Sequence, residues 1–444
     1  MTTMTPSSLC RAIAYFKLRP GWHGPDVLAM AVSLTDLHGH PEDGKSVAPQ
    51  IKKGDGPASP WLRSPVWDGF WILSGLWLLV PVLLAPVLTT TNQWILVAAV
   101  YTLWLPHRFA TAFNAFCLPD YRNLIHAQWQ RFYLLPAAIF AATFVFLFLP
   151  ELLLPLSLMT RVQVLATIFF VYNSYHFGVQ HFGVLSIYRI RAGQQQDPRV
   201  KRYESRYCLF VGGFLVCVAQ ILAGADIVRD SLMYQVVALD RLHSALAMAR
   251  WIAVPLVVLL TARLLLVEAR NPRRSIPKML YIVGVGTQGA LAYFLAPVPF
   301  LVLWGVQHWL VSVALTAVIS DNDHPQEAPT SAWYRFWGLF YGRFWPTVLI
   351  LVAITIVLVP LFELSLHSSR PREGYLVTVA AILGQHPWLV RTLLWLNFAT
   401  VYMHFVMDRA VFRFSHPDVR KVTGALLFAR PATSGIDPRR VSDG

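Results

Sequence analysis

Apolar runs of about twenty residues recur along this chain, each long enough to cross a hydrocarbon core of about 30 Å. In that solvent every backbone N–H and C=O must find its partner within the chain, so the spanning segments are expected to be helices. Composition agrees: 56% of the 444 residues are hydrophobic, 14% are charged and mean hydropathy is +0.50. A soluble domain carries about 25% charged residues, and a chain of this length has no interior large enough to hide the apolar excess. The sequence predicts an all-α, polytopic integral membrane helix bundle. It excludes a soluble enzyme, a secreted disulfide scaffold and a disordered regulator. The four cysteines form no C-x-x-C pair, which argues against a thiolate metal site.

About ten spans are expected, at roughly 67–88, 93–116, 131–150, 162–188, 206–225, 246–268, 278–296, 299–320, 344–364 and 388–410. Lys and Arg concentrate in the N-terminal segment, in the loops after spans 2, 4, 6 and 8, and at the C-terminus. The alternate loops hold few. This asymmetry predicts that both termini are cytoplasmic, and it accounts for the net charge of +14 without nucleic acid. Three regions follow: a polar, proline-rich N-terminal tail (1–66), the bundle (67–412) and a basic, loosely ordered C-terminal tail (413–444). Residues 371–387 read as a re-entrant or interfacial piece. The expected location is a bacterial cytoplasmic (inner) membrane, with the lipid bilayer itself as a partner.

Ionisable side chains inside a membrane are costly and mark function. Five of the 14 histidines fall in apolar spans: His107, His176, His181, His308 and His404. All lie on even-numbered spans, which run in one direction, and their depths agree within roughly three helical turns. Four helices that bring imidazoles to one layer can build a metal site in a bundle core. His176 and Gln180 share a helix face, as do His404 and Asp408, and as do His107, Thr111 and Asn114. Asp408 and Gln180 are therefore the groups expected to orient imidazoles. His181 lies about 140° around the helix from His176, so it joins the expected metal set, as a ligand or as a support to the ligands, through a bulge or from a flanking position. Arg108, beside His107, is read as holding an anionic headgroup or a buried acid. One echo is also present: Phe177-Gly178-Val179-Gln180-His181-Phe182 returns as Trp304-Gly305-Val306-Gln307-His308-Trp309.

His176-x4-His181 resembles the first histidine box of the fatty-acid desaturases and hydroxylases, although no H-x-x-H-H box follows. Tyr175-His176-Phe177-Gly178 is similar to the His-Phe-Gly element of the bacterial Brp/Blh-like β-carotene dioxygenases. That resemblance implies a single iron held by histidines from separate helices. Ser64-Pro65-Val66-Trp67-Asp68 and Pro106-His107-Arg108-Phe109-Ala110-Thr111 also resemble an uncharacterised group of bacterial membrane proteins. The expected function is a membrane-embedded, metal-dependent oxidoreductase, a non-haem iron oxygenase acting on an apolar or amphipathic small molecule. Copper, zinc or haem are the alternative cofactors. A transporter with midplane histidines in substrate or proton passage, or a haem-binding membrane protein, is the alternative function.

Overall fold

The computed structural model describes residues 59–84, 106–194, 197–223, 239–322, 331–339, 343–353 and 385–428. These belong to one compact unit, Ala58–Gly444, and are helical with no strand among them. Among the described residues five helices are long and apolar enough to cross a bilayer: α5 (Gln130–Phe148), α7 (Pro198–Ala223), α8 (Ser244–Ala269), α10 (Pro299–Asp321) and α13 (Pro387–Phe412). They coincide with five of the ten expected spans. A sixth expected span is a bent pair, α1 (Pro65–Trp71) and α2 (Ser74–Leu84), meeting at 65°.

The remaining expectations fare differently. Residues 162–188 fall within α6 (Leu158–Arg191), which at 34 residues is the longest helix, with polar groups along its length. Residues 278–296 fall mostly on α9 (Ile276–Leu291), whose 16 residues rise only about 24 Å. Spans 93–116 and 344–364 are described only as helix α3 (106–117) and helix α12 (Phe344–Ala353). The expected re-entrant piece lies almost wholly outside the described residues, as does nearly all of the N-terminal tail.

Local chemistry sets the helix ends. Ser64 caps α1 by accepting from the Trp67 amide, and Pro65 supplies a preset φ at the first position. Ser157 caps α6 in the same way through the Thr160 amide. At the other end of α6, Gly193 takes φ 61°. The Gly193 and Gln194 amides then bond to the carbonyls of Ile190 and Arg189, which is the Schellman pattern. Between α5 and α6, buried Arg161 donates to the carbonyls of Leu149, Leu154 and Leu156 and holds that turn closed.

Helix α10 is the hub. Every side chain from Gln307 to Ser320 is buried, so this helix has protein on all sides, whereas α8 turns Trp251, Ile252 and Leu259 outward. The C-terminal ends of four helices gather at one side of the unit. Asn322 donates to the carbonyl of Leu426 at 2.8 Å, Tyr121 meets Thr423 at 2.8 Å, and Thr423 bonds the Val411 carbonyl. Arg63 pairs with Asp321, and Arg191 reaches the Trp61 carbonyl. Helices α3, α6, α10 and α13 therefore run parallel. The C-terminal tail departs from expectation here. Residues Pro417–Phe428 form α14, which buries Val419, Leu426 and Leu427 against α10 and α13 and is an ordered cap on the bundle.

A buried ionic clamp fixes α6, α7, α8 and α9 together. Lys278 lies 2.6 Å from Glu204 and 2.7 Å from Glu268, and Arg189 lies 3.0 Å from Glu204. Gln194 joins it, donating to Glu268 at 2.6 Å.

Candidate metal centre

The four parallel helices each deliver one imidazole to the same point. Ring centres lie 4.6 Å apart for His107–His404, 4.9 Å for His404–His176, 5.0 Å for His176–His308 and 5.3 Å for His308–His107. The four form a closed ring. Chain order has no part in this; the four residues come from α3, α6, α10 and α13 and meet because the helices are parallel and in register.

The ring has the dimensions of a ligand set. An imidazole bound at about 2.1 Å sets its ring centre about 3.2 Å from the ion, so neighbours at 90–110° stand about 4.5–5.2 Å apart. The four edges fall almost entirely in that interval. His107, His308 and His404 offer nitrogens within 4.8 Å of one another, and so do His176 and His404 with an oxygen of Asp408. The second test is hydrogen bonding. Nε2 of His176, Nε2 of His308 and both nitrogens of His404 are buried without a hydrogen-bond partner. A buried polar atom left in this way is expensive unless something else engages it.

Asp408 lies where the phase of α13 puts it, one turn beyond His404. Its carboxylate is 3.3 Å from Nδ1 of His404 and 3.6 Å from Nε2 of His176, and it accepts a hydrogen bond from the Thr111 hydroxyl. It can orient His404 through the ring N–H or ligate directly. Gln180 takes a different place from the one expected. Its Nε2 donates to the backbone carbonyl of His308 at 3.3 Å, which ties α6 to α10 rather than holding a ring.

His181, expected among the metal residues, stands apart from the ring of four. Its phase turns it toward α7 and α9, where Nδ1 is 2.9 Å from the hydroxyl of Tyr281. A π-helical turn, Phe210–Leu215, brings Gly212 and Gly213 against α6. A Cβ on Gly212 would fall 2.6 Å from the His181 ring, and one on Gly213 would fall 2.5 Å from the Ser174 carbonyl oxygen. A second π-turn, Val302–Val306, precedes His308 and sets the phase of that residue. Arg108, read as holding an anionic headgroup or a buried acid, donates from Nη1 to Oδ1 of Asn397 at 2.7 Å.

Aromatic rings wall the centre. Phe177 is stacked between Trp304 at 3.7 Å and His308 at 3.8 Å, Trp309 stacks on His107 at 5.7 Å, and Phe405 lies 4.8 Å from His176. The two echoed segments therefore pack on each other. Sequence reasoning did not single out Tyr281, Trp304 or Trp309 as neighbours of the site, because an aromatic in an apolar span carries no signal of its partner. Searches against family models, characterised proteins and solved structures find no match to this chain.

Proposed function

We propose that the chain is a membrane-embedded metalloenzyme, a non-haem iron oxygenase acting on a lipid-soluble substrate. His107, His176, His308 and His404 would hold the ion. The observation that carries this reading is the closed ring of four buried imidazoles from four separate helices, in which Nε2 of His176, Nε2 of His308 and Nε2 of His404 have no hydrogen-bond partner. Neutral nitrogen donors with no thiolate suit iron, copper or zinc, and iron is the choice that joins this donor set to oxygen chemistry in an apolar layer. When bound, the ion supplies Lewis acidity and one-electron chemistry toward dioxygen.

The chain's own groups do the rest. Asp408, 3.3 Å from Nδ1 of His404, is the group placed to orient that ring, and the Thr111 hydroxyl holds the carboxylate beside it. Phe177, Trp304, Trp309 and Phe405 keep bulk water from the centre. The space between four rings about 5 Å apart suits a bare ion better than haem, whose macrocycle is about 10 Å across. We further read the chain as a protein of about ten spans in a bacterial inner membrane, both termini cytoplasmic, on the distribution of Lys and Arg.

Elemental analysis of protein purified from a metal-replete membrane tests the proposal. Iron near one equivalent per chain, lost in His176→Ala and His404→Ala, is the expected outcome. Metal-free, folded protein would refute it. Proteoliposome uptake by that metal-free protein, abolished by His404→Ala, would establish the transporter alternative.

A further inference from the structure

A chain of buried hydrogen bonds leads away from the centre and ends on the fifth intramembrane histidine. Gln288 Nε2 donates to Oε1 of Gln307 at 2.9 Å. Gln307 is hydrogen-bonded in turn to Tyr281. The Tyr281 oxygen is 2.9 Å from Nδ1 of His181. Tyr281, His181, Gln288 and Gln307 are each no more than 2% exposed. Because Oε1 of Gln307 already accepts from Gln288, its amide N–H is left for the phenol oxygen, and the phenol O–H is left for His181. All three bonds then point one way, an arrangement in which each strengthens the next. The chain also touches the centre at two places. Gln307 is covalently next to His308, and His181 follows His176 by five residues on α6.

A buried phenol gives up an electron readily only if its proton has somewhere to go at the same moment. We infer that Tyr281 is an electron donor to the histidine centre and that His181 is the acceptor of its proton. This inference rests on the redox reading above. The step balances as follows: the Tyr281 phenol gives one electron to an oxidised transition-metal ion that the four imidazoles would hold. The O–H bond of Tyr281 breaks, an N–H bond forms at Nδ1 of His181, and the products are a neutral phenoxyl radical, an imidazolium and the ion reduced by one electron. The proton crosses one hydrogen bond. The phenoxyl oxygen keeps the Gln307 donor, which holds the ring in place for the reverse step. The orphaned Nε2 of His181 against Gly212 fits the same assignment, since it carries the hydrogen of the tautomer whose Nδ1 accepts.

The experiment loads detergent-solubilised protein with ferrous iron without air, mixes it with dioxygen or hydrogen peroxide, freezes it and records the paramagnetic resonance spectrum. Wild type is expected to show a tyrosine radical, identified by its collapse to a narrower line when ring-deuterated tyrosine is incorporated. Tyr281→Phe should lose that signal while bound iron stays unchanged. His181→Gln, which keeps the phenol and removes the base, should diminish it. An iron-loaded wild type with no tyrosine signal, or the same signal surviving in Tyr281→Phe, overturns the inference and leaves the metalloenzyme reading standing. If Tyr281→Phe also loses iron, an undiminished signal in His181→Gln overturns it instead. Wild type that takes up no iron overturns both.

Discussion

Lys278→Met offers a sharp test of how the bundle is held. Lys278 is 1% exposed and faces two carboxylates, Glu204 at 2.6 Å and Glu268 at 2.7 Å, with Arg189 on the far side of Glu204. The wild-type clamp holds two cations and two anions. Methionine fills much of the same volume, so the substitution removes a charge rather than packing. Glu204 keeps Arg189, but Glu268 is left with Gln194 and the Ser275 amide as its neutral donors. Removing one partner of a buried ionic pair costs about 3–5 kcal/mol. That is the loss expected in a reversible unfolding measurement in mixed detergent micelles. The double variant Lys278→Met/Glu268→Gln restores the balance to one cation and one anion, and it should recover most of the loss. A single variant within about 1 kcal/mol of wild type would place these charges in the weak class of solvent-screened pairs and refute the reasoning. A double variant no more stable than the single would refute it as well.

Three further expectations concern the helix contacts and the centre. Gly213→Ala drives a Cβ to 2.5 Å from a backbone oxygen of Ser174, which has no rotamer to escape into, and should cost roughly 1–3 kcal/mol in the same assay. Gly183→Ala, on α6, meets nothing within 4 Å and should be neutral or stabilise by about 0.5–1 kcal/mol. Asp408→Asn keeps the shape but weakens the hold on the rings, and metal affinity measured by chelator competition should fall about 10- to 100-fold. An unchanged affinity would show that the carboxylate does not act on the imidazoles.

Much of the site was legible before any coordinates. His107, His176, His308 and His404 could be grouped because an apolar span makes each imidazole conspicuous and because depth along a helix follows from counting residues. Asp408 followed from its four-residue spacing. What counting could not supply was rotation about the helix axes. The π-turns at 210–215 and 302–306 shift the phase of everything after them, and no residue pattern in those segments announces an extra residue per turn. His181 was legible as out of phase, but its partner Tyr281 comes from another helix and is invisible to periodicity. The break between α1 and α2 falls beside Ser74-Gly75, a pair that permits a kink but does not by itself announce one within an apolar run. The ordered α14 was missed because its basic surface hides a short apolar face of Val419, Leu426 and Leu427.

The enclosure of α10 has a consequence for how the protein is made. A helix that touches no lipid gains its surroundings only when its neighbours have arrived, and its His308 is the ring member held on the innermost helix. The four-imidazole ring cannot exist in any partly assembled bundle that lacks α3, α6 or α13. An ion that binds only the closed ring would stabilise the finished form by an amount that rises with the logarithm of its free concentration over its dissociation constant. Metal supply would then act on the yield of correctly assembled protein in the membrane as well as on its activity.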